Sequence, residues 1–214
     1  MIMKRISLSL IFCAGLVLTG CKDNKKENDE MDSMDKESNT EMTSDMDQKD
    51  TEVKKAKVTL QATNDSGLTG NVVFTQEDGE VSMTAMISGL AEGEHAIHIH
   101  EQGDCSAADG SSAKGHWNPT GEQHGKWGDS KGYHKGDIGN FKVDANGNGT
   151  ISMSTDEWCI GCGDKNKDIL GHAIIVHNGV DDFTSQPSGA AGDRVGCGVI
   201  EESTGMSSDM DTEQ

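Results

Sequence analysis

All eight histidines of this 214-residue chain lie between His95 and His177, and their spacing is the first sign of chemistry. In His98-Ile99-His100 the two imidazoles stand at i and i+2, which on a β-strand places both on one face, with Ile97 and Ile99 on the other. Two imidazoles at that pitch make half of a metal site. His116, His124 and His134 follow in a stretch without strand periodicity, and Asp137 comes three residues after the last. Three nitrogens and one carboxylate oxygen suit tetrahedral zinc. His177 ends the apolar run Ala173-Ile174-Ile175-Val176-His177 and can return to the His98/His100 pair as a third ligand of copper type. A lone histidine is more often a satisfied core or surface group, but six in these pairings call for a metal. His95 is an odd number of residues from His98, and His172 from His177, so both point away from the ligands.

The elements that must carry these side chains are short alternating runs bounded by turn signals. Val58/Leu60/Ala62 alternate with Lys57/Thr59/Gln61, and Val81/Met83/Ala85/Ile87 with more polar neighbours, the period of half-buried strands. Asp78-Gly79 and Asn146-Gly147 are hairpin signals. With Asn71–Thr75, His95–Glu101, Ile138–Val143, Thr150–Ser154, Ile169–His177 and Val195–Ile200, the sequence predicts about eight strands and no helix. The fold class is therefore all-β, an antiparallel sandwich or barrel of about eight strands. Residues 102–136 break the pattern, and a loop that long inside a compact domain is usually functional.

Four stretches then carry a family resemblance. They are His95-Ala96-Ile97-His98-Ile99-His100-Glu101, Gly115-His116-Trp117-Asn118-Pro119, His134-Lys135-Gly136-Asp137-Ile138-Gly139-Asn140, and Gly192-Asp193-Arg194-Val195-Gly196-Cys197-Gly198-Val199-Ile200. Through them residues 55–200 resemble the copper/zinc superoxide dismutases, and the short, lysine-free stretch from His177 to Arg194 resembles their bacterial members more. The resemblance implies an eight-stranded antiparallel Greek-key β-sandwich or barrel, immunoglobulin-like, with long metal-binding loops. The resemblance implies copper on His98, His100, His116 and His177, and zinc on His116, His124, His134 and Asp137, with the His116 ring bridging as imidazolate. It implies that Asp181 links His98 to His124, that His95 braces the copper strand by hydrogen bonding, and that Cys105 is bonded to Cys197. The implied reaction disproportionates superoxide to oxygen and hydrogen peroxide, with His116 passing a proton and Arg194 docking the anion. Dimer contacts vary among bacterial members, which leaves a homodimer open.

The rest of the chain suggests an address. Lys4 and Arg5 precede a mostly apolar run from Ser7 that ends in Leu18-Thr19-Gly20-Cys21, so residues 1–20 read as a signal peptide. The small residues before Cys21 resemble a bacterial lipobox, which implies lipidation of that cysteine and a membrane anchor in the cell envelope, periplasmic or surface-facing. Residues 21–54 carry 6 basic and 12 acidic side chains and no aromatic, too little to bury against the entropy of ordering, so they read as a solvated tether. Residues 201–214 read as a similar acidic tail. Methionines recur in both, from Met31 and Met34 to Met206 and Met210. Thioethers bind Cu(I), although composition alone also explains them.

Net charge is −19, which excludes a nucleic-acid-coating role. Residues 55–200 alone hold 10 basic and 20 acidic groups, so anion capture depends on Arg194 at short range. No lysine lies between His177 and Arg194, and Asp193 is expected to offset part of the Arg194 charge. Of six cysteines, Cys13 leaves with the leader and Cys21 takes the lipid. Cys159-Ile160-Gly161-Cys162 reads as a local disulfide in an exposed loop. A redox pair would open a helix, which nothing nearby suggests, and a third metal site would need two more ligands, with none near in sequence. A copper- or zinc-handling lipoprotein without turnover is the rival reading, and an adhesion sandwich leaves the histidines unexplained. The complete ligand set together with Arg194 favours the enzyme.

Overall fold

The computed structural model describes residues 52–203. The leader 1–20, Cys21, nearly all of the tether 21–54 and most of the tail 201–214 lie outside the described residues. Alternation becomes strand as expected: β1 (Lys54–Ala62), β2 (Thr69–Glu77), β3 (Glu80–Ser88), β4 (Gly93–His100), β5 (Gly139–Val143), β6 (Asn148–Thr155), β7 (Ala173–His177), β8 (Arg194–Val199) and the two-residue β9 (Glu201–Glu202). Among the described residues the one helical piece is a 3₁₀ turn at Ser111–Ala113. Paired strand thus starts at Lys54 and runs to Glu202, slightly beyond 55–200. The expected strand Ile169–His177 shortens to Ala173–His177. The main chain before it bonds elsewhere: Ile169 N–H donates to the Cys159 carbonyl and Gly171 N–H to that of Ile200.

Order around the sheet is β2-β3-β6-β5-β4-β7-β8-β1, and β1 pairs again with β2, so eight antiparallel strands close into a barrel. The connections β3 to β4 and β6 to β7 each pass over two strands, which is the Greek-key path. Closure is uneven. β2 pairs with β3 over nine residue pairs, whereas β5 meets β6 only at Val143↔Gly149, and β1 meets β8 only at Gln61↔Cys197 and Ala62↔Gly196. The barrel is therefore flattened into two four-stranded sheets, β1-β2-β3-β6 and β5-β4-β7-β8, joined at two thin seams, which reconciles sandwich with barrel. Asp78-Gly79 forms the whole β2–β3 connection with both φ positive (50° and 86°), the two-residue turn that matches strand twist.

Between the sheets lies one core, including Val58, Leu60, Phe74, Met83 and Ile87 from the first and Ile97, Ile99, Phe141, Ile174 and Val176 from the second. Each such side chain contributes about 1.5–3 kcal/mol by leaving water. β4, β7 and the middle of β8 are buried on both faces. Ile97, Ile99, Ile174 and Val176 fill the barrel. The alternate positions Ala96, His98, His100, Ala173, Ile175 and His177 are also buried, because the loops 101–138 and 178–193 cover the outer face of that sheet.

Candidate metal centre

On that covered face the register sets His98 opposite Ile175 and His100 opposite Ala173, so His98, His100 and His177 project together. His116 joins them from the long loop. It does so with strand-like rigidity, since it makes an antiparallel bridge with His100 and its neighbour Trp117 donates N–H to Ile99 O (2.8 Å). One nitrogen of each of these four rings, Nδ1 of His98 and Nε2 of His100, His116 and His177, is buried without a hydrogen-bond partner. Each other ring nitrogen is engaged: His98 Nε2 with Asp181 Oδ2 (2.8 Å), His100 Nδ1 with Lys114 O (2.7 Å), His116 Nδ1 with Asp137 Oδ1 (2.8 Å) and His177 Nδ1 with Gly192 O (3.2 Å). A buried imidazole nitrogen left bare is costly unless something else binds it. Four aimed at one point form a nitrogen cage of the kind copper takes.

A second group, His116, His124, His134 and Asp137, converges within 4.8 Å on the other side of the His116 ring. His124 Nδ1 and His134 Nδ1 are likewise buried and bare. They stand 3.0 and 3.2 Å from the Asp137 oxygens without hydrogen-bonding geometry. That spacing is close to the ~3.3 Å edge of a tetrahedron with ~2 Å bonds, as ligands around one zinc ion would have. The His116 ring thus presents Nε2 to one group and Nδ1 to the other. Asp181 joins the groups a second time, with Oδ2 on His98 and Oδ1 on His124 Nε2 (2.8 Å each).

Electrostatics separate the two halves. Burial, reinforced by neighbouring histidines, pushes His116 down to about 4 and His177 down to about 3, and holds His100 well below its usual value. These rings are neutral at pH 7, as ligands must be. Burial opposes charge on His124 too, but Asp137 and Asp181 on either side outweigh it and push it up to about 9. Against their own burial, hydrogen bonds from histidines hold Asp137 and Asp181 below the carboxylate range. The second group is therefore an anionic pocket that calls for a cation.

Several supporting residues were not foreseen. The Lys114 carbonyl serves both His100 and Arg194 Nη2 (2.6 Å), and Lys114 holds a strained backbone to do so (φ 60°, ψ −146°). Asn140 donates Nδ2–H to Asp181 O and accepts from Asp181 N–H (2.8 Å each). Gly189, at φ +67°, lies directly against the Asp181–His124 bond: a Cβ there would overlap Asp181 Oδ1 and stand 2.6 Å from His124 Nε2. Only main-chain atoms fit, and the one sequence signal was a glycine among small residues. His95 sits between the carbonyls of His177 (3.2 Å) and Ala91 (2.9 Å), bridging β4 to the end of β7. His172 lies away from the metal groups, stacked at 4.7 Å on Trp117.

The first group opens to a cleft of about 500 Å³, lined by His100, His116 and His177, with Arg194 as its cation and Glu122 as its carboxylate. The guanidinium is half-buried and fixed by Gly110 O (2.7 Å) and Lys114 O. Asp109 lies within electrostatic reach of the guanidinium, and the adjacent Asp193 is exposed, its N–H donating to Asn178 Oδ1 (3.0 Å).

Cys105 and Cys197 form a disulfide (Cα–Cα 5.7 Å) that ties the loop supplying Gly110 and Lys114 to β8, three residues from Arg194. Its 92-residue separation is worth ~4–5 kcal/mol in the chain-entropy account. Cys159 and Cys162 form a second, local disulfide. The expectation that no further ligand lies near it needs correcting, because Asp168 converges on the pair. That carboxylate already accepts from the N–H groups of Gly161, Gly163 and Leu170, so it closes the loop on itself.

Comparison with known proteins agrees with this geometry. The family model for copper/zinc superoxide dismutase matches residues 68–200. "Superoxide dismutase [Cu-Zn] 2" of Aquifex aeolicus (strain VF5) is 38% identical over 138 residues, 61% of this chain and 80% of the relative. "Superoxide dismutase [Cu-Zn] 1" of the same organism is 40% identical over 109 residues, 50% of this chain and 64% of the relative. Among solved structures, the clock protein EA4 superposes with a TM-score of 0.60 at 35% identity, covering 68% of this chain and 92% of that one.

Proposed function

This chain belongs to the copper/zinc superoxide dismutase family, and from that premise we propose that it removes superoxide arising outside the cytoplasm while held in the cell envelope by a lipid on Cys21. Its reaction is the disproportionation of superoxide to oxygen and hydrogen peroxide with copper and zinc. We assign copper to His98, His100, His116 and His177, and zinc to His116, His124, His134 and Asp137. The observation that carries this assignment is the set of six buried imidazole nitrogens without partners, divided between two groups that share one ring. The address rests on the lipobox-like Leu18-Thr19-Gly20-Cys21 and the acidic tether after it.

Bound copper supplies a one-electron couple, and zinc supplies fixed positive charge. The residues do the rest. Arg194, pinned by two carbonyls, holds a rigid cation at the cleft and attracts and orients an anion. Asp137 orients His116 through Nδ1 in the metal-free site, a role that passes to zinc once it is bound. Nε2, the ring atom that faces the cleft side, can hold a proton whenever copper is not on it. From there the proton can pass to a nascent peroxide. Asp181 keeps His98 and His124 in fixed orientation, so neither ring turns when its neighbour changes charge.

Stopped-flow decay of superoxide tests the chemistry, using the chain loaded with copper and zinc at two salt concentrations. Copper-dependent decay near the diffusion limit of about 10⁹ M⁻¹s⁻¹ that slows with salt is expected. Stoichiometric metal with decay no faster than buffer would make the protein a metal carrier. Fractionation of cells expressing the wild type or Cys21→Ser tests the address, since the variant should leave the membrane fraction.

A further inference from the structure

The Asp181–His124 hydrogen bond is gripped at both ends by a side-chain carboxamide. Asn140 takes the peptide of Asp181, as described above. Gln186 takes that of His124 in the same way: His124 N–H donates to Gln186 Oε1 (2.9 Å), and Gln186 Nε2–H donates to His124 O (2.9 Å). Asn140 belongs to one of the four family-like stretches, whereas Gln186 lies outside them all. His116 is anchored by its bridge to β4, and His134 by the turn in which Asp137 N–H donates to His134 O (3.1 Å). His124 has neither support. Its two main-chain groups both find their partner in Gln186, a residue of the opposite loop.

We propose that Gln186 is a positioning residue that latches the zinc compartment, holding the His124 peptide so that this ligand cannot swing away, and thereby sets how fast zinc leaves. This rests on the reading of His116, His124, His134 and Asp137 as the zinc site. Release of a tetrahedral ion proceeds by losing one ligand first, and His124 sits on the segment with least backbone support. Copper retention does not depend on the latch, because His98, His100 and His177 are carried by paired strands. Gln186 is solvent-exposed on the cleft wall, so replacing it opens no cavity in the core.

The test follows zinc transfer from the copper- and zinc-loaded full chain to the chromogenic chelator 4-(2-pyridylazo)resorcinol. Gln186→Ala loses both bonds and should release zinc roughly tenfold faster, with unchanged copper loss and an unchanged copper EPR spectrum. Gln186→Glu keeps an acceptor for His124 N–H but loses the donor to its carbonyl, so its rate should fall between the two. Zinc release from Gln186→Ala within about twofold of the wild type overturns the latch. So does equal acceleration of copper and zinc loss, which would mean general loosening. A wild-type protein that takes up no zinc overturns the latch together with the site reading beneath it.

Discussion

Replacing Gly189 by alanine places one methyl group where the structure has room for none. The new Cβ would overlap Asp181 Oδ1 and approach His124 Nε2 to 2.6 Å, so either the Asp181–His124 bond opens or the 182–192 loop lifts. A buried hydrogen bond to a charged partner is worth about 1.5–3 kcal/mol. Holding a non-glycine residue at φ +67° adds about 1–2 kcal/mol. Alanine recovers about 0.4–1 kcal/mol through its smaller unfolded-state entropy. The net loss is about 2–4 kcal/mol, which for a domain of this size lowers Tm by roughly 5–15 °C. Calorimetry of the metal-loaded protein reads this directly, and metal analysis after chelator challenge should show zinc lost before copper. Wild-type Tm together with wild-type zinc retention in Gly189→Ala would refute the claim that main-chain contact at this bond holds the two halves of the site together.

Three further outcomes can be checked. In the metal-free protein, His116 and His177 have folded pKa values near 4 and 3, below the unfolded 6.5, so their stability is present above 6.5 and is lost as pH falls through that window. Each should cost on the order of 3 kcal/mol by pH 4, while His124, raised to about 9, adds no change between 6.5 and 4; flat urea midpoints across that range would contradict this. Lys114→Gly should relieve a backbone geometry costing about 1–3 kcal/mol, less about 0.5–1 for glycine's freedom when unfolded, and raise Tm by a few degrees; a lower Tm counts against strain there. Asp109→Asn should speed superoxide decay by up to about threefold at low salt and not at high salt, and by more than Asp193→Ser does, whereas the opposite ranking would restore Asp193 as the opposing charge.

Strand alternation, the His98/His100 pair and the His177 strand end were legible because a period of two fixes which side chains share a face. The same periodicity left the outer cover unseen. In β4 and β7 it separates core from metal side, yet says nothing of which loop lies over the metal side. Lys114, Gly189 and Gln186 act through carbonyls, missing side chains and long-range amide pairs, and none of these has a pattern along the chain. Asp168 was overlooked beside Cys162 because its convergence depends on a turn, and Asp109 beside Arg194 because their separation of 85 positions is closed only by the fold.

β1 pairs with β9 at Ala56↔Glu202 and Lys57↔Glu201, and Ser203 N–H donates to Lys55 O (2.8 Å). The segments that precede residue 52 and follow residue 203 are therefore joined to the domain at adjacent points on one sheet edge. Seen as a circuit, the domain is almost closed on itself. A short linker joining 203 to 54 would complete the ring, and the Asp78-Gly79 turn would offer a site to open new ends in a circular permutant. The two ends of the described barrel thus meet at one place, and a load applied to both would open the two-residue β9 pairing before it reached the strands that carry His98, His100 and His177.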